Sequence, residues 1–373
     1  MTPSRRTMLQ GAIGGAWAFA ATAGARASVA SPFPIDTWMA LASVPGASWA
    51  MLGRSGLTTA ATGYAKAGET QATTDTLFEA ASLSKPVLAA AIHDLARERL
   101  IDLDEPIARH VDFTSDPATR TVTPRHLLSH SSGLPNWRTE AGSALVSRFE
   151  PGSAFRYSGE GFVLLGHLAE AVTGRTAAET VRSRVLAPAG MSSSTYGWRA
   201  MDDPAVAWPH DAGGDVMPDR GPEAFRRAQQ AGPAGLVEAW TQDDRIAMAK
   251  RLGKPALPIF MMPNMAAGLW TTAADYARFL RYARRFPAMN TPTIGVEGNL
   301  KWGLGWGLEM AGTGRFAWHW GANDGVANIF VLDLNTGDGL VVLTNGAGGQ
   351  RVYERAARVR FKREFDAFTW LQP

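Results

Sequence analysis

The stretch Leu77–Leu100, LFEAASLSKPVLAAAIHDLARERL, is apolar at helical spacing, yet it places Lys85 three residues after Ser82. Positions i and i+3 share a helix face, so the Ser82 hydroxyl and the Lys85 amine can touch while Ser84 points elsewhere. Pro86 marks a helix start, because a first-turn proline gives up an amide that has no helical partner. Ser82 then sits at the helix N-terminus, where free N–H groups and the dipole favour an alkoxide or an oxyanion. A lysine enclosed by apolar neighbours loses part of its preference for the charged form and can take up a proton. The chemistry this allows is a serine nucleophile served by a lysine. A capping serine with a solvent-reaching lysine would share the same S-x-x-K spacing, so other residues must decide.

Two further segments carry groups of the right type. In EPGSAFRYSGEGFVLLGHLAEAVTG, Tyr157 stands in a turn ahead of a helix expected from about Phe162. Beside a lysine its phenol can ionise and act as a base toward serine. In FAWHWGANDGVANIF, a strand ends at His319-Trp320-Gly321 before a Gly-containing turn. Gly321 lets a substrate backbone come close, and the Ala322 amide after it can face the site. On a strand, Trp318 and Trp320 share one face and His319 takes the other. With His319 toward the cleft, both indoles are expected in the core beneath a helix.

Other chemistries lack their residues. His126 and His130 have the i,i+4 spacing of a zinc helix, but no Glu follows the first and no further ligands cluster. Both read as structural, and no metal or cofactor is expected. G-x-S-x-G, dinucleotide-binding and P-loop patterns are absent. The chain has no cysteine, which excludes disulfides, thiolate metal sites and a cysteine nucleophile.

The elements that must converge on these residues lie at both chain ends. ASWAMLGRSGLTTAATGYA reads as two strands around Arg54-Ser55-Gly56, and GLGWGLEM, GRFAWHW, VANIFVLDL and GLVVLTN read as an antiparallel meander. Helices around Ile35–Leu41 and Val352–Phe368 flank them. Helical segments between are expected at Pro86–Arg99, after TPRHLLSH, and at Phe162–Val172 and Ala273–Arg284. The fold class is therefore α+β, an α/β sandwich. Residues 31–81 and 290–373 form a discontinuous antiparallel-sheet domain, and a mostly helical domain, residues 82–289, is inserted. A site is expected at the seam.

The chain is 373 residues long, 46% hydrophobic and 19% charged, which suits a globular protein. Residues 1–27 carry Arg5-Arg6, a weakly apolar Ala/Gly stretch and ARA ending at Ala27, the pattern of a twin-arginine export signal. Export to the periplasm or medium is expected, with no stable membrane insertion after cleavage. The net charge of +3 comes from Arg5, Arg6 and Arg26 of that segment, so it gives no case for nucleic acid. The basic residues of RVYERAARVRFKRE read as the solvated face of a packed terminal helix.

Taken together the motifs resemble those of the penicillin-recognising serine hydrolases: class C β-lactamases, DD-peptidases, D-amino-acid peptidases and family VIII esterases. TLFEAASLSKP is similar to their nucleophile motif, TPRHLLSHSSGLP to the segment that follows it, and YSGEGFVLLG to the Tyr motif. MAAGLWTTAADYARFL resembles a helix entry before the last strands, and HWGANDG stands where β-lactamases usually have Lys-Thr-Gly. The resemblance covers nearly all of the chain after residue 27, with an apparent insertion at 221–258. It implies a β-lactamase/transpeptidase-like fold and catalysis by Ser82, Lys85 and Tyr157. It also implies an oxyanion hole from the Ser82 and Ala322 amides, and substrate binding at His319, Gly321 and Gly159.

Two departures bear on substrate. Class C enzymes have Asn at the position of Gly159, where its amide binds an acylamide side chain. His319 replaces a lysine, and a neutral imidazole would bind a substrate carboxylate less strongly. A small ester or a D-amino-acid peptide is left more open than a β-lactam as the small-molecule or peptide partner. The reading from another class is a non-catalytic protein that binds peptidoglycan fragments or a partner on the same fold.

Overall fold

Val326–Asp333, VANIFVLD, is buried along nearly its whole length, which requires cover on both of its faces. The computed structural model shows that cover. It describes residues 33–111, 120–138, 144–196, 206–220 and 264–372, with short stretches at 230–232, 234, 240 and 242–251. The expected signal at 1–27 and much of the expected insertion at 221–258 lie outside the described residues.

The strands are β1 (Gly46–Gly53), β2 (Gly56–Lys66), β3 (Thr70–Gln71), β4 (Phe78–Glu79), β5 (Trp270–Thr271), β6 (Ile294–Glu297), β7 (Leu300–Trp302), β8 (Gly307–Ala311), β9 (Gly314–Asn323), β10 (Val326–Asp333) and β11 (Gly339–Thr344). Nine of them form one sheet in the order β3-β2-β1-β11-β10-β9-β8-β7-β6, while β4 pairs with β5. The chain ends meet where β1 pairs antiparallel with β11, from Ala47↔Thr344 to Leu52↔Gly339.

Alternation along the strands feeds two cores. Ile329, Val331, Leu340 and Val342 pack with helices α1 (Ile35–Leu41), α6 (Gly349–Phe361) and α7 (Asp366–Trp370) on one face. Phe330, Leu332, Val341 and Leu343 face the opposite layer, built on α2 (Ser84–Arg97), α4 (Gly159–Thr173) and α5 (Ala273–Ala283). Period-two side chains covered on both sides explain why these strands read as continuous apolar runs.

Ser31–Pro373 forms one compact unit. Several expected elements differ in detail. The helix expected after TPRHLLSH lies on that motif itself, as α3 (Pro124–Leu128). Thr123 starts it with a reciprocal cap: its Oγ1 accepts the His126 N–H, and His126 Nδ1 accepts the Thr123 N–H. His130, at φ 55°, turns the chain away from the helix. The hairpin β6–β7 was not anticipated, because its strands are short and turn at Gly298, φ 51°. The terminal helix is two helices, broken at Lys362 in the left-handed region.

Among the described residues no helix is long and apolar enough to cross a membrane. Phe330 is fully buried between Trp306 and Tyr276. Phe330→Ala is expected to cost about 3–5 kcal/mol in a urea titration, through lost transfer energy and the cavity left behind.

Candidate active site

Ser82 lies in a 3₁₀ turn, Ala81–Leu83, that runs into α2. Ala81 adopts φ 49°, a left-handed conformation that a side chain makes costly. The surroundings hold this turn from several directions. Ser84 Oγ donates to the Ala81 carbonyl at 2.6 Å and accepts the Leu269 N–H at 2.9 Å. The buried hydroxyls of Tyr276 and Tyr196 donate to the carbonyls of Leu83 and Ser84, each at 2.8 Å. From Thr76 to Leu95 every residue except Ser82 is buried. The turn therefore presents its serine and little else to solvent.

Lys85 is 0% exposed. Its Nζ lies 2.9 Å from Ser82 Oγ and donates to the Ala266 carbonyl, also at 2.9 Å. Aromatic rings close around it, with centroids 4.9 Å away at Tyr157, 5.8 Å at Trp137 and 5.9 Å at Phe162. Burial alone lowers its pKa to about 7, and no carboxylate among the described residues opposes the shift.

The Tyr157 ring lies between those of His130, 4.3 Å away, and Trp320, 4.7 Å away. Its hydroxyl is buried without an aligned hydrogen-bond partner among the described residues. Burial pushes the phenol up from its ordinary pKa, and the nearby Ser82 hydroxyl draws it down by less. His130 Nδ1 accepts the Ser158 N–H at 3.1 Å, so the proton of its neutral ring sits on Nε2. His319 has the other tautomer. Its Nδ1 lies 2.7 Å from the Trp320 carbonyl, which can only accept, so Nε2 carries the lone pair. Burial first, and then the Lys85 charge, hold the His319 pKa at about 3. Both imidazoles are thus neutral beside the Ser82–Lys85 pair.

A protein-family model described as Beta-lactamase matches residues 35–364. The chain belongs to the beta-lactamase family. Penicillin-binding protein 4* of Bacillus subtilis (strain 168) is 31% identical over 153 residues, covering 35% of this chain and 33% of that protein. The chain thus spans about a third of the length of that relative. Esterase EstB of Burkholderia gladioli is 27% identical over 325 residues, covering 73% of this chain and 78% of the esterase. Among solved structures, the octameric penicillin-binding protein homologue from Pyrococcus abyssi superposes with a TM-score of 0.67 at 22% identity, over 88% of this chain and 76% of that one. At that identity the likeness concerns the fold.

In this beta-lactamase-family chain, Ser82 and Lys85, Tyr157, and His319 come together from three separate segments. Their surroundings, and those of the other expected site residues, differ. His319, expected to touch substrate, is 0% exposed and packs against Tyr157 and Trp302. Gly321, expected to admit a substrate backbone, is pressed on the Ser82 turn: a Cβ there would stand 2.1 Å from the Ala80 carbonyl oxygen. Ala322 is exposed on β9, past the last β8 pair, Gly307↔Trp318. Gly159 has no vacancy beside it, since a Cβ would stand 2.5 Å from Trp137 Cη2. Trp318 is in the core as expected, whereas half-buried Trp320 packs on Tyr157 and Trp370.

Sequence reasoning missed Trp137, Ala266 and Glu79. The Glu79 carboxylate accepts from Asn323 Nδ2 and from Arg220 at 3.4 Å, and its carbonyl accepts from Asn328 Nδ2 at 2.9 Å. It ties the Ser82 turn to β9 and β10. An acid three residues before Ser82 in an otherwise apolar run was the available signal. Among the described residues no cluster of His, Asp or Glu is placed to hold a metal.

The Lys85 burial predicts a pH-dependent stability. Between the folded value of about 7 and the ordinary 10.5, the unfolded chain binds more protons than the folded one. Stability therefore rises with pH across that window. Lys85→Met removes the titration, so the variant is expected to be the more stable at neutral pH. The gap in urea midpoint should narrow as pH rises toward 10.5, and a gap that stays constant would contradict a desolvated amine.

Proposed function

We propose that the protein is a serine acyl hydrolase that cleaves a small ester or amide through an acyl-Ser82 intermediate. The observation that carries the reading is the Lys85 amine, 2.9 Å from Ser82 Oγ and held near half-neutral at pH 7 by burial. A neutral amine accepts the serine proton as Ser82 Oγ bonds to the substrate carbonyl carbon. The carbonyl π pair moves onto oxygen, and the amides of Ser82 and Ala322 stabilise the oxyanion. Collapse breaks the bond to the leaving group, which takes the proton from Lys85 through the Tyr157 phenol. Water then repeats the sequence on the acyl-enzyme, releasing the acid and restoring Ser82.

The raised phenol pKa supports Lys85 as the resting base and Tyr157 as a protonated relay. His319 serves in this reading as a positioning residue that keeps a second charge away from Lys85. A neutral imidazole offers no cation to a substrate carboxylate, which favours esters over β-lactams, and the likeness to EstB supports the same choice. The Arg5-Arg6 segment supports export.

A fluorophosphonate is expected to add its mass to Ser82 in the wild-type protein and leave Ser82→Ala untouched. Side-by-side kcat/KM values for short p-nitrophenyl esters, nitrocefin and a D-Ala-D-Ala peptide should be highest for the esters, with Ser82→Ala inactive on all. A folded wild-type protein that never labels would sink the reading and favour a binding protein. The labelling rate should rise with pH through about 7, because only the neutral Lys85 amine accepts the proton. A rate that falls through this range would exclude Lys85 as the base.

A further inference from the structure

Position 159 is filled from the other side. An ideal Cβ on Gly159 would lie 2.5, 2.6 and 2.8 Å from Cη2, Cζ2 and Cζ3 of Trp137, so the indole rests on the glycine α-carbon. Both neighbours of Trp137 fasten it there. Asn136 Oδ1 accepts the Gly159 N–H at 2.9 Å, and the Asn136 carbonyl accepts the Glu160 N–H at 2.9 Å. Arg138 donates to the buried Glu160 carboxylate from its backbone N–H and Nε at 3.0 Å, and from Nη2 at 2.9 Å. The loop thus clamps the first turn of α4, and Trp137 has little freedom to swing away. Its ring centroid is 5.8 Å from Lys85 Nζ, and the residue is half-buried.

We propose that Trp137, seated on Gly159, is a specificity-determining wall beside the Ser82–Lys85 site, selecting substrates that lay a plain apolar group against it over substrates that carry an acylamino group there. This rests on the acyl-hydrolase reading above. The wall offers carbon surface where a side-chain amide would have offered a donor and an acceptor. An alkyl or aryl group gains by burial against it. An acylamino group placed there gives up its hydrogen bonds to water and finds no replacement. A glycine at 159 and a tryptophan at 137 are one device, because either side chain excludes the other.

The test compares the rates at which two fluorophosphonates of equal length label Ser82 in the full chain, one with a plain alkyl arm and one with an acetamido arm. Wild type is expected to favour the plain probe by about tenfold or more, and Trp137→Ala to cut that preference by about tenfold. Gly159→Ala, which must displace the indole, should shift the preference in the same direction, and Trp137→Phe should shift it less. These two variants decide the matter if Trp137→Ala does not fold. An unchanged preference in folded, labelled variants overturns the proposal, as does an equal loss of both rates. Failure of wild type to label with either probe removes the hydrolase reading itself, an outcome distinct from labelling without selectivity.

Discussion

An amine held out of water, with no carboxylate beside it among the described residues, is the constraint around which the site is arranged. Desolvation penalises the charged form of Lys85 and favours a conformation in which it leaves the interior. What keeps it inside is geometric. Its stem leaves a helix buried on every side, and Nζ finds the Ser82 hydroxyl and the Ala266 carbonyl at ordinary hydrogen-bond length. The wall of Tyr157, Trp137 and Phe162 offers π faces, which favour a cation without restoring its full preference for charge. A carboxylate at the same distance would return the amine to permanent charge. The apolar closure of the helical layer therefore sets the charge of this amine as well as packing the core.

The Ser82 turn shows how the two layers cooperate to hold that amine in register. Ala81 is left-handed although it has a Cβ, so the turn needs support from outside. Tyr196, Tyr276 and Leu269 supply hydrogen bonds from the helical side, and Glu79 supplies them toward the sheet through Asn323 and Asn328. Gly321 permits the final contact, since any side chain would hold β9 away from Ala80. Glu79 shares the burial of Lys85 but differs from it in having Arg220 and Asn323 to offset desolvation.

The parts of the site legible in the sequence were those written in local periodicity. Ser82 and Lys85 announce themselves by i,i+3 spacing, α1 by its amphipathic stripe, and β9 to β11 by apolar runs between turn residues. Tyr157 and His319 were legible as types in suitable surroundings, and their convergence was implied by the resemblance of the motifs to those of penicillin-recognising serine hydrolases. Trp137 was not legible. It sits in an irregular loop, and its partner Gly159 is 22 positions away. Gly159 also shows why an absent side chain misleads. A glycine in sequence can mean an open space or a surface pressed against something, and the Cβ distances to Trp137 decide for the second. The same ambiguity held at Gly321, where the close neighbour is the protein's own backbone. The burial of His319 was hidden because strand alternation assigns a face, whereas Trp302, Trp320 and Tyr157 determine how deeply that face is covered.

The charge capacity of the buried cluster follows from these contacts. Lys85, His130 and His319 are mutually repulsive as cations: Lys85 and His319 both disfavour protonation of His130, and Lys85 disfavours it at His319. With both imidazoles held neutral, the cluster accepts one proton near neutrality and has one place to put it. The two rings are locked in opposite tautomers by the Ser158 amide and the Trp320 carbonyl. The remaining nitrogen of each ring, an N–H on His130 and a lone pair on His319, is buried without a hydrogen-bond partner among the described residues, as is the Tyr157 hydroxyl. Replacing His319 by a permanent cation would reverse the balance, lowering the phenol pKa and driving Lys85 further from the charged state. The neutral imidazole thus leaves the proton on one amine.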